Sequence, residues 1–244
     1  MIDFLMFRGT GSPPGGDGVC RAFTDRLDKR KFNVRYIDQG YPATYGTPAY
    51  GASVAQGVAA GIQAIRDSPN VCGVGGYSQG ATVAGNIAAR IGRGELEGLQ
   101  VSHCALIADP LRARNSPTIN PGVGGYGIGG SRPVRGIDHF FQVAASGDPI
   151  SALPENPLRL LADLSEYAGP DLNAWMGDLL FKASNRNFQG WWSPQYWRDW
   201  PGAVGWLRNY LPQSQTNPGG GRHTAAYLRE GLCTLLADRV NASV

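Results

Sequence analysis

Five consecutive residues, Gly76-Tyr77-Ser78-Gln79-Gly80, have the types and spacing that acyl-transfer chemistry needs. Gly-x-Ser-x-Gly puts a serine on a sharp turn between a strand and a helix, so its hydroxyl stands clear of the sheet and faces a substrate carbonyl. Two backbones crowd at such a turn. Glycine on either side leaves them room and tolerates strained dihedrals. The flanks have the required order. Val71-Cys72-Gly73-Val74-Gly75 is short and apolar, like a buried parallel strand. After the serine, Val83, Ile87, Ala88 and Ile91 share one helical face.

A serine hydroxyl needs a base to take its proton, and the base needs a carboxylate to orient it. The chain has three histidines. His103 opens one apolar strand and His139 precedes another, both at the strand ends away from Ser78. His223 follows every strand and lies in a loop before a terminal helix. The chain order serine, acid, histidine of strand–elbow–helix hydrolases selects it. Asp109 and Asp148 both follow strands. Asp148, one strand later, is the preferred acid; Asp109 is the alternative, or else a supporting residue or helix cap. An oxyanion needs two backbone N–H donors. One is assigned to Gln79, at its helix N-terminus. The other is assigned to Thr10, in the glycine-rich loop after the first strand, whose hydroxyl offers a third donor.

These side chains need elements to carry them. Ile2–Phe7, Phe32–Ile37, the elbow strand, Cys104–Ala108 and Phe140–Ala145 read as strands. Val19–Leu27, Ala52–Asp67, the helix after the elbow and Thr224–Val240 read as helices. Strand–helix alternation predicts an α/β fold with a central, doubly wound parallel sheet. Each strand then delivers a glycine or polar turn to the edge that carries Ser78, where such sheets build their sites. Arg112–Arg132 reads as a long loop. The texture changes over residues 152–212, where short helices alternate with Pro/Gly breaks. All six tryptophans, Trp175, Trp191, Trp192, Trp197, Trp200 and Trp206, fall there. The reading is one domain over residues 1–244 with a Trp-rich helical insertion between the acid and the histidine. Trp191, Trp192 and Trp197 are assigned to substrate binding, since indoles suit an apolar–wet boundary.

Composition removes several classes. The net charge is +3 and no Lys/Arg-rich tract occurs, so no nucleic-acid partner is expected. No run approaches 18 apolar residues, so no transmembrane segment is expected. Met1–Phe7 is too short for a signal peptide, and the chain is expected to be made soluble in the cytoplasm. Cys20, Cys72, Cys104 and Cys233 show no metal or redox spacing and are expected as free thiols. No metal and no cofactor is expected, and a monomer is favoured.

Arg8-Gly9-Thr10-Gly11, the elbow, Gly147-Asp148-Pro149 and His223-Thr224-Ala225-Ala226-Tyr227 resemble the motifs of the cutinase-like serine esterases. Cutinases have cysteines beside the acid, where this chain has Ser146 and Ser151, and their acid and histidine lie close together. Here 75 positions separate Asp148 from His223. The long Trp-rich insertion resembles the mycobacteriophage lysin B enzymes. That resemblance implies an α/β-hydrolase that cleaves the ester joining mycolic acids to arabinogalactan, acting at the mycobacterial cell envelope during host lysis. Alternatives are a general cutinase or lipase, an acyltransferase of the same family, and a catalytically silent envelope-binding protein.

Overall fold

The computed structural model describes residues 1–169, 172–185, 187–189, 194 and 198–244. Five parallel strands, β1 (Ile2–Phe7), β2 (Phe32–Tyr36), β3 (Cys72–Tyr77), β4 (Val101–Ile107) and β5 (His139–Val143), form one sheet in the order β2-β1-β3-β4-β5. Alternation along β1 feeds two cores. Phe4 and Met6 face one layer, with Cys20 and Phe23 of α1 (Gly18–Thr24) and Leu236 and Val240 near the C-terminus. Leu5 and Phe7 face the other, with Val54, Val58 and Ile62 of α2 (Tyr50–Arg66) and Val83 and Ile87 of α3 (Gln79–Gly92).

β3 is poor in strand-forming residues for a packing reason. Side chains at Gly73 and Gly75 would lie 2.9 and 2.6 Å from the Phe4 ring. The glycines make the space that this central phenylalanine fills. The chain leaves β1 toward β2 and returns past β1 to β3, so strand order reverses between β1 and β3. The loops that follow them diverge to opposite layers, α1 on one and α3 on the other. The crevice between such loops is where open α/β sheets bind ligands.

The predicted alternation of strands and helices is the observed one, and the Arg112–Arg132 stretch is a loop as expected. It is stitched by single bridges between Arg112 and Arg132 and between Tyr126 and Leu153. The closing helix differs. It is two pieces, α7 (Ala225–Arg229) and α8 (Leu232–Asn241), parted at Gly231 with φ +67°. The break redirects the chain so that Leu236 and Val240 can pack on the sheet. All four cysteines are buried free thiols.

Residues 158–210 contribute α4 (Leu158–Ser165), α5 (Leu172–Ser184) and α6 (Trp200–Tyr210). Trp175 Nε1 donates to the Leu164 carbonyl at 2.9 Å, and Lys182 Nζ donates to the Asp163 carbonyl at 2.8 Å, tying α5 to α4. Arg159 is fully buried and donates to the carbonyls of Tyr126, Gly127, Leu153 and Pro154, which roots α4 in the neighbouring loop. Trp191, Trp192 and Trp197 lie outside the described residues. Among the described residues no helix is long and apolar enough to cross a membrane.

Candidate active site

Ser78 ends β3 and opens α3 with φ +56° and ψ −119°. A non-glycine residue holds such a conformation only when its surroundings force it. Here the crowding is measurable. A side chain at position 76 would lie 2.1 Å from the Gly80 carbonyl oxygen, and one at position 80 would lie 2.1 Å from that of Phe7. Both glycines of the pentapeptide are therefore steric requirements. The second contact also presses the start of α3 against the end of β1, just before the Thr10 loop.

Three of the residues chosen from sequence meet in one line. Ser78 Oγ lies 2.9 Å from His223 Nε2. His223 Nδ1 lies 3.1 and 3.2 Å from the two oxygens of Asp148. The network fixes the tautomer: Nδ1–H donates to the carboxylate, and Nε2 accepts from the serine hydroxyl. Asp148 is 0% exposed. Its Oδ1 accepts from the Ile150 N–H at 2.9 Å, and its Oδ2 accepts from Ser151 Oγ and the Tyr227 hydroxyl, each at 2.7 Å. Burial works against ionisation of this carboxyl. The interaction with His223 and the donors from Tyr227 and Ile150 outweigh it, and the carboxyl is held below its ordinary range.

Asp109 makes a different set of contacts. It accepts from the Leu111 N–H at 2.9 Å and pairs with Arg132 Nη2 at 2.6 Å. Burial pushes its carboxyl above the ordinary value despite that pairing. His103 and His139 stack on each other with centroids 4.5 Å apart, at neighbouring register positions of β4 and β5. His103 bonds Ser102 and Ser243, and burial lowers its imidazole to about 4.

Tyrosines frame His223. The rings of Tyr77 and Tyr210 each stack on it at 5.5 Å, and the Tyr77 hydroxyl donates to its carbonyl at 2.8 Å. Asn209 Nδ2 donates to the Gly147 carbonyl at 3.1 Å, and Arg222 Nε donates to that of Ser146 at 2.7 Å. The end of α6, the histidine loop and the acid loop are thus bonded to one another. Sequence reasoning placed Tyr227 in a motif without giving it work. Its spacing four residues after His223, on the helix that begins at Ala225, was the available signal.

The remaining pair, Thr10 and Gln79, offers backbone N–H groups that have no protein partner among the described residues. The loop holding Thr10 is braced. Arg8 is buried, pairs with Asp38 at 2.9 Å and donates to the Ser12 carbonyl at 2.9 Å, while the Gly11 N–H donates to the Ala43 carbonyl at 2.8 Å. Thr10 itself is exposed. The Gln79 side chain, which the sequence did not explain, is buried in a socket. It accepts from Ser53 Oγ at 3.0 Å and donates to the Thr44 carbonyl at 2.7 Å, and the Tyr41 hydroxyl bridges it to the Arg8 carbonyl. This lashes the elbow to the loop that follows β1.

Ser78 opens into a cavity of about 990 Å³ between α2, α3 and α4. Val54, Val58, Ile150, Leu158 and Leu161 give it mainly apolar walls. Among the described residues no group of three His, Cys, Asp or Glu side chains is placed to hold a metal ion.

No protein-family profile matches the chain, and no curated protein sequence does. Among solved structures, lysin B from Mycobacteriophage D29 superposes with a TM-score of 0.55 at 21% identity, over 85% of this chain and 99% of that one. The chain has the fold of lysin B. It is an α/β-hydrolase fold with a central parallel sheet. A cutinase-like protein from Cryptococcus sp. matches with a TM-score of 0.46 at 20% identity, over 77% of this chain and 95% of that one. A Trichoderma reesei cutinase in complex with a phosphonate inhibitor matches with a TM-score of 0.40 at 23% identity, over 60% and 62% of the two chains. The likeness to lysin B expected from the sequence therefore extends to the backbone.

Proposed function

We propose that this protein is a serine esterase in which Ser78 is the nucleophile, His223 the general base and Asp148 the residue that orients it. The observation that carries this is the unbroken line Ser78 Oγ–His223 Nε2, His223 Nδ1–Asp148, at 2.9 and 3.1 Å, at the mouth of a large apolar cavity. His223 Nε2 takes the Ser78 proton as Oγ adds to the ester carbonyl. The N–H groups of Gln79 and Thr10 receive the negative charge that forms on the carbonyl oxygen. The tetrahedral adduct collapses, the C–O bond to the alcohol breaks, and His223 returns the proton to the departing oxygen. A water molecule, deprotonated by the same histidine, then cleaves the acyl-serine and restores the hydroxyl.

The proposed substrate is the ester between mycolic acids and arabinogalactan in the mycobacterial envelope. The apolar cavity suits a long acyl chain. Leu180 and Phe181 on α5, 61% and 60% exposed, with Val204 and Leu207 on α6, offer an apolar surface to an aggregated lipid layer. Trp191, Trp192 and Trp197 are proposed to take part in substrate binding. Mycobacterial cell wall treated with the protein is expected to release free mycolic acids, detected by mass spectrometry. Turnover of short soluble esters without such release would assign the chain to general esterases instead.

Tyr227 supplies a second check on the acid. Tyr227→Phe removes one of the donors on Asp148 Oδ2 and leaves the ring that packs in the core. About a tenfold fall in kcat with KM unchanged is expected. In an Asp148→Asn background the same change is expected to cost nothing further. Equal losses in both backgrounds would make Tyr227 a packing residue only.

A further inference from the structure

The helix α6 is held by its last turn rather than by a core. Asp199 caps its start by accepting from the Gly202 N–H at 3.1 Å, and of its residues only Ala203 is buried. A helix with so little apolar burial draws its position from the contacts at its end. Those contacts converge on the two loops that carry the acid and the base. Asn209 Nδ2 donates to the Gly147 carbonyl at 3.1 Å, while the Asn209 carbonyl accepts from the Arg222 N–H at 2.9 Å. Gly147 immediately precedes Asp148, and Arg222 immediately precedes His223. One residue therefore bonds the neighbours of both. Two residues on, the Leu211 carbonyl accepts from the Gly221 N–H at 2.7 Å. Asn217 Nδ2 closes the helix end by donating to the Arg208 carbonyl at 2.8 Å.

Tyr210 follows with its ring. That ring lies 5.5 Å from the His223 imidazole at an interplanar angle of 27°, and the Tyr77 ring lies at the same distance and 26°. The two tyrosines are held differently. Tyr77 is 4% exposed, and its hydroxyl is spent on the His223 carbonyl. Tyr210 is 47% exposed and stands on the helix end that the two loops grip. The bonds from Nδ1 to Asp148 fix one edge of the imidazole and leave the ring free to tilt about that edge. A flat aromatic wall against its face limits the tilt. Nε2 must stay in line with Ser78 Oγ through both proton transfers, so a small tilt is costly to the rate.

Resting on the esterase reading above, we infer that Asn209 and Tyr210 are positioning residues: the last turn of the helical insertion clamps the acid loop to the histidine loop and holds the His223 ring in plane. The test on the full chain measures hydrolysis of p-nitrophenyl butyrate and, separately, the proton NMR signal of His223 Nδ1–H. A proton held between an imidazole and a carboxylate resonates far downfield of the amides, and its loss in His223→Ala assigns it. Tyr210→Leu is expected to lower kcat about tenfold with KM within about twofold, and to broaden the signal. Tyr210→Phe keeps the ring and is expected to restore both. Asn209→Ala removes the donor to Gly147 and keeps the carbonyl for Arg222; a fall in kcat of about fivefold is expected, with the same broadening. Neither side chain is buried, so both variants are expected to fold, which a melting curve checks. A raised KM with kcat held in Tyr210→Leu would make that residue a cavity wall only. A sharp signal and full turnover in both Asn209→Ala and Tyr210→Leu would overturn the inference while the esterase reading stood. Broadening as expected in a chain that cleaves no ester, altered or not, would overturn the esterase reading and leave the clamp.

Discussion

Ser78→Ala is expected to lower hydrolysis of a p-nitrophenyl ester by on the order of 10³-fold or more, with the fold unchanged. The reason is geometric. Ser78 Oγ is the atom that His223 Nε2 faces at 2.9 Å, and alanine removes it alone. Alanine keeps the Cβ and so keeps the strained φ of +56°, and the melting temperature should hardly move. The residual rate would come from the Gln79 and Thr10 N–H groups, which polarise a bound carbonyl without a nucleophile. A fluorophosphonate offers a second readout, since it phosphonylates an activated serine and loses fluoride. Mass spectrometry should find the adduct on the peptide that contains Ser78, and none in the variant. Activity within about tenfold of the unaltered protein would remove Ser78 from the reaction.

Much of this site was legible in the sequence because its constraints are local. The elbow needs small residues at fixed offsets from one serine, and Gly76 and Gly80 meet backbone atoms at 2.1 Å when given a side chain. Strand and helix assignments held where burial is two-sided, as in β1, or one-striped, as in α2. Chain order alone was enough to choose His223. What escaped is contact between residues remote in sequence. The socket around the Gln79 side chain joins Tyr41, Thr44 and Ser53, and no periodicity relates these to position 79. The break at Gly231 escaped because a glycine inside an apolar helical pattern is usually tolerated. Strand order alone favoured Asp148 over Asp109, since each follows a strand in a turn with proline after it. Their partners separate them: a histidine and a tyrosine for one, an arginine for the other.

That separation predicts two different failures. Asp148→Asn is expected to lower kcat by as much as about 10⁴-fold while the protein stays folded. An amide at this position can donate to Nδ1, which favours the imidazole with its proton on Nε2. That nitrogen then points a proton at Ser78 and cannot take one. Because Ser151, Tyr227 and Ile150 all donate to the carboxylate, the amide also meets donors where it brings N–H groups of its own. Asp109→Asn is expected to fail in the opposite way. It withdraws the charge that faces Arg132 at 2.6 Å in a buried setting. Breaking a buried ion pair costs about 3 kcal/mol, because the guanidinium is left without its counter-charge. For a chain of this size that is a fall in melting temperature on the order of 5–10 °C. Turnover by the folded fraction should drop far less than in Asp148→Asn, since Arg132 touches α3 at Thr82 and Asn86 rather than at Ser78. Turnover and melting temperature measured together on both variants decide the matter. A stable but inactive Asp109→Asn beside an active Asp148→Asn would exchange the two roles, and the line from Ser78 through His223 to Asp148 would then be a structural hydrogen bond rather than a path for catalysis.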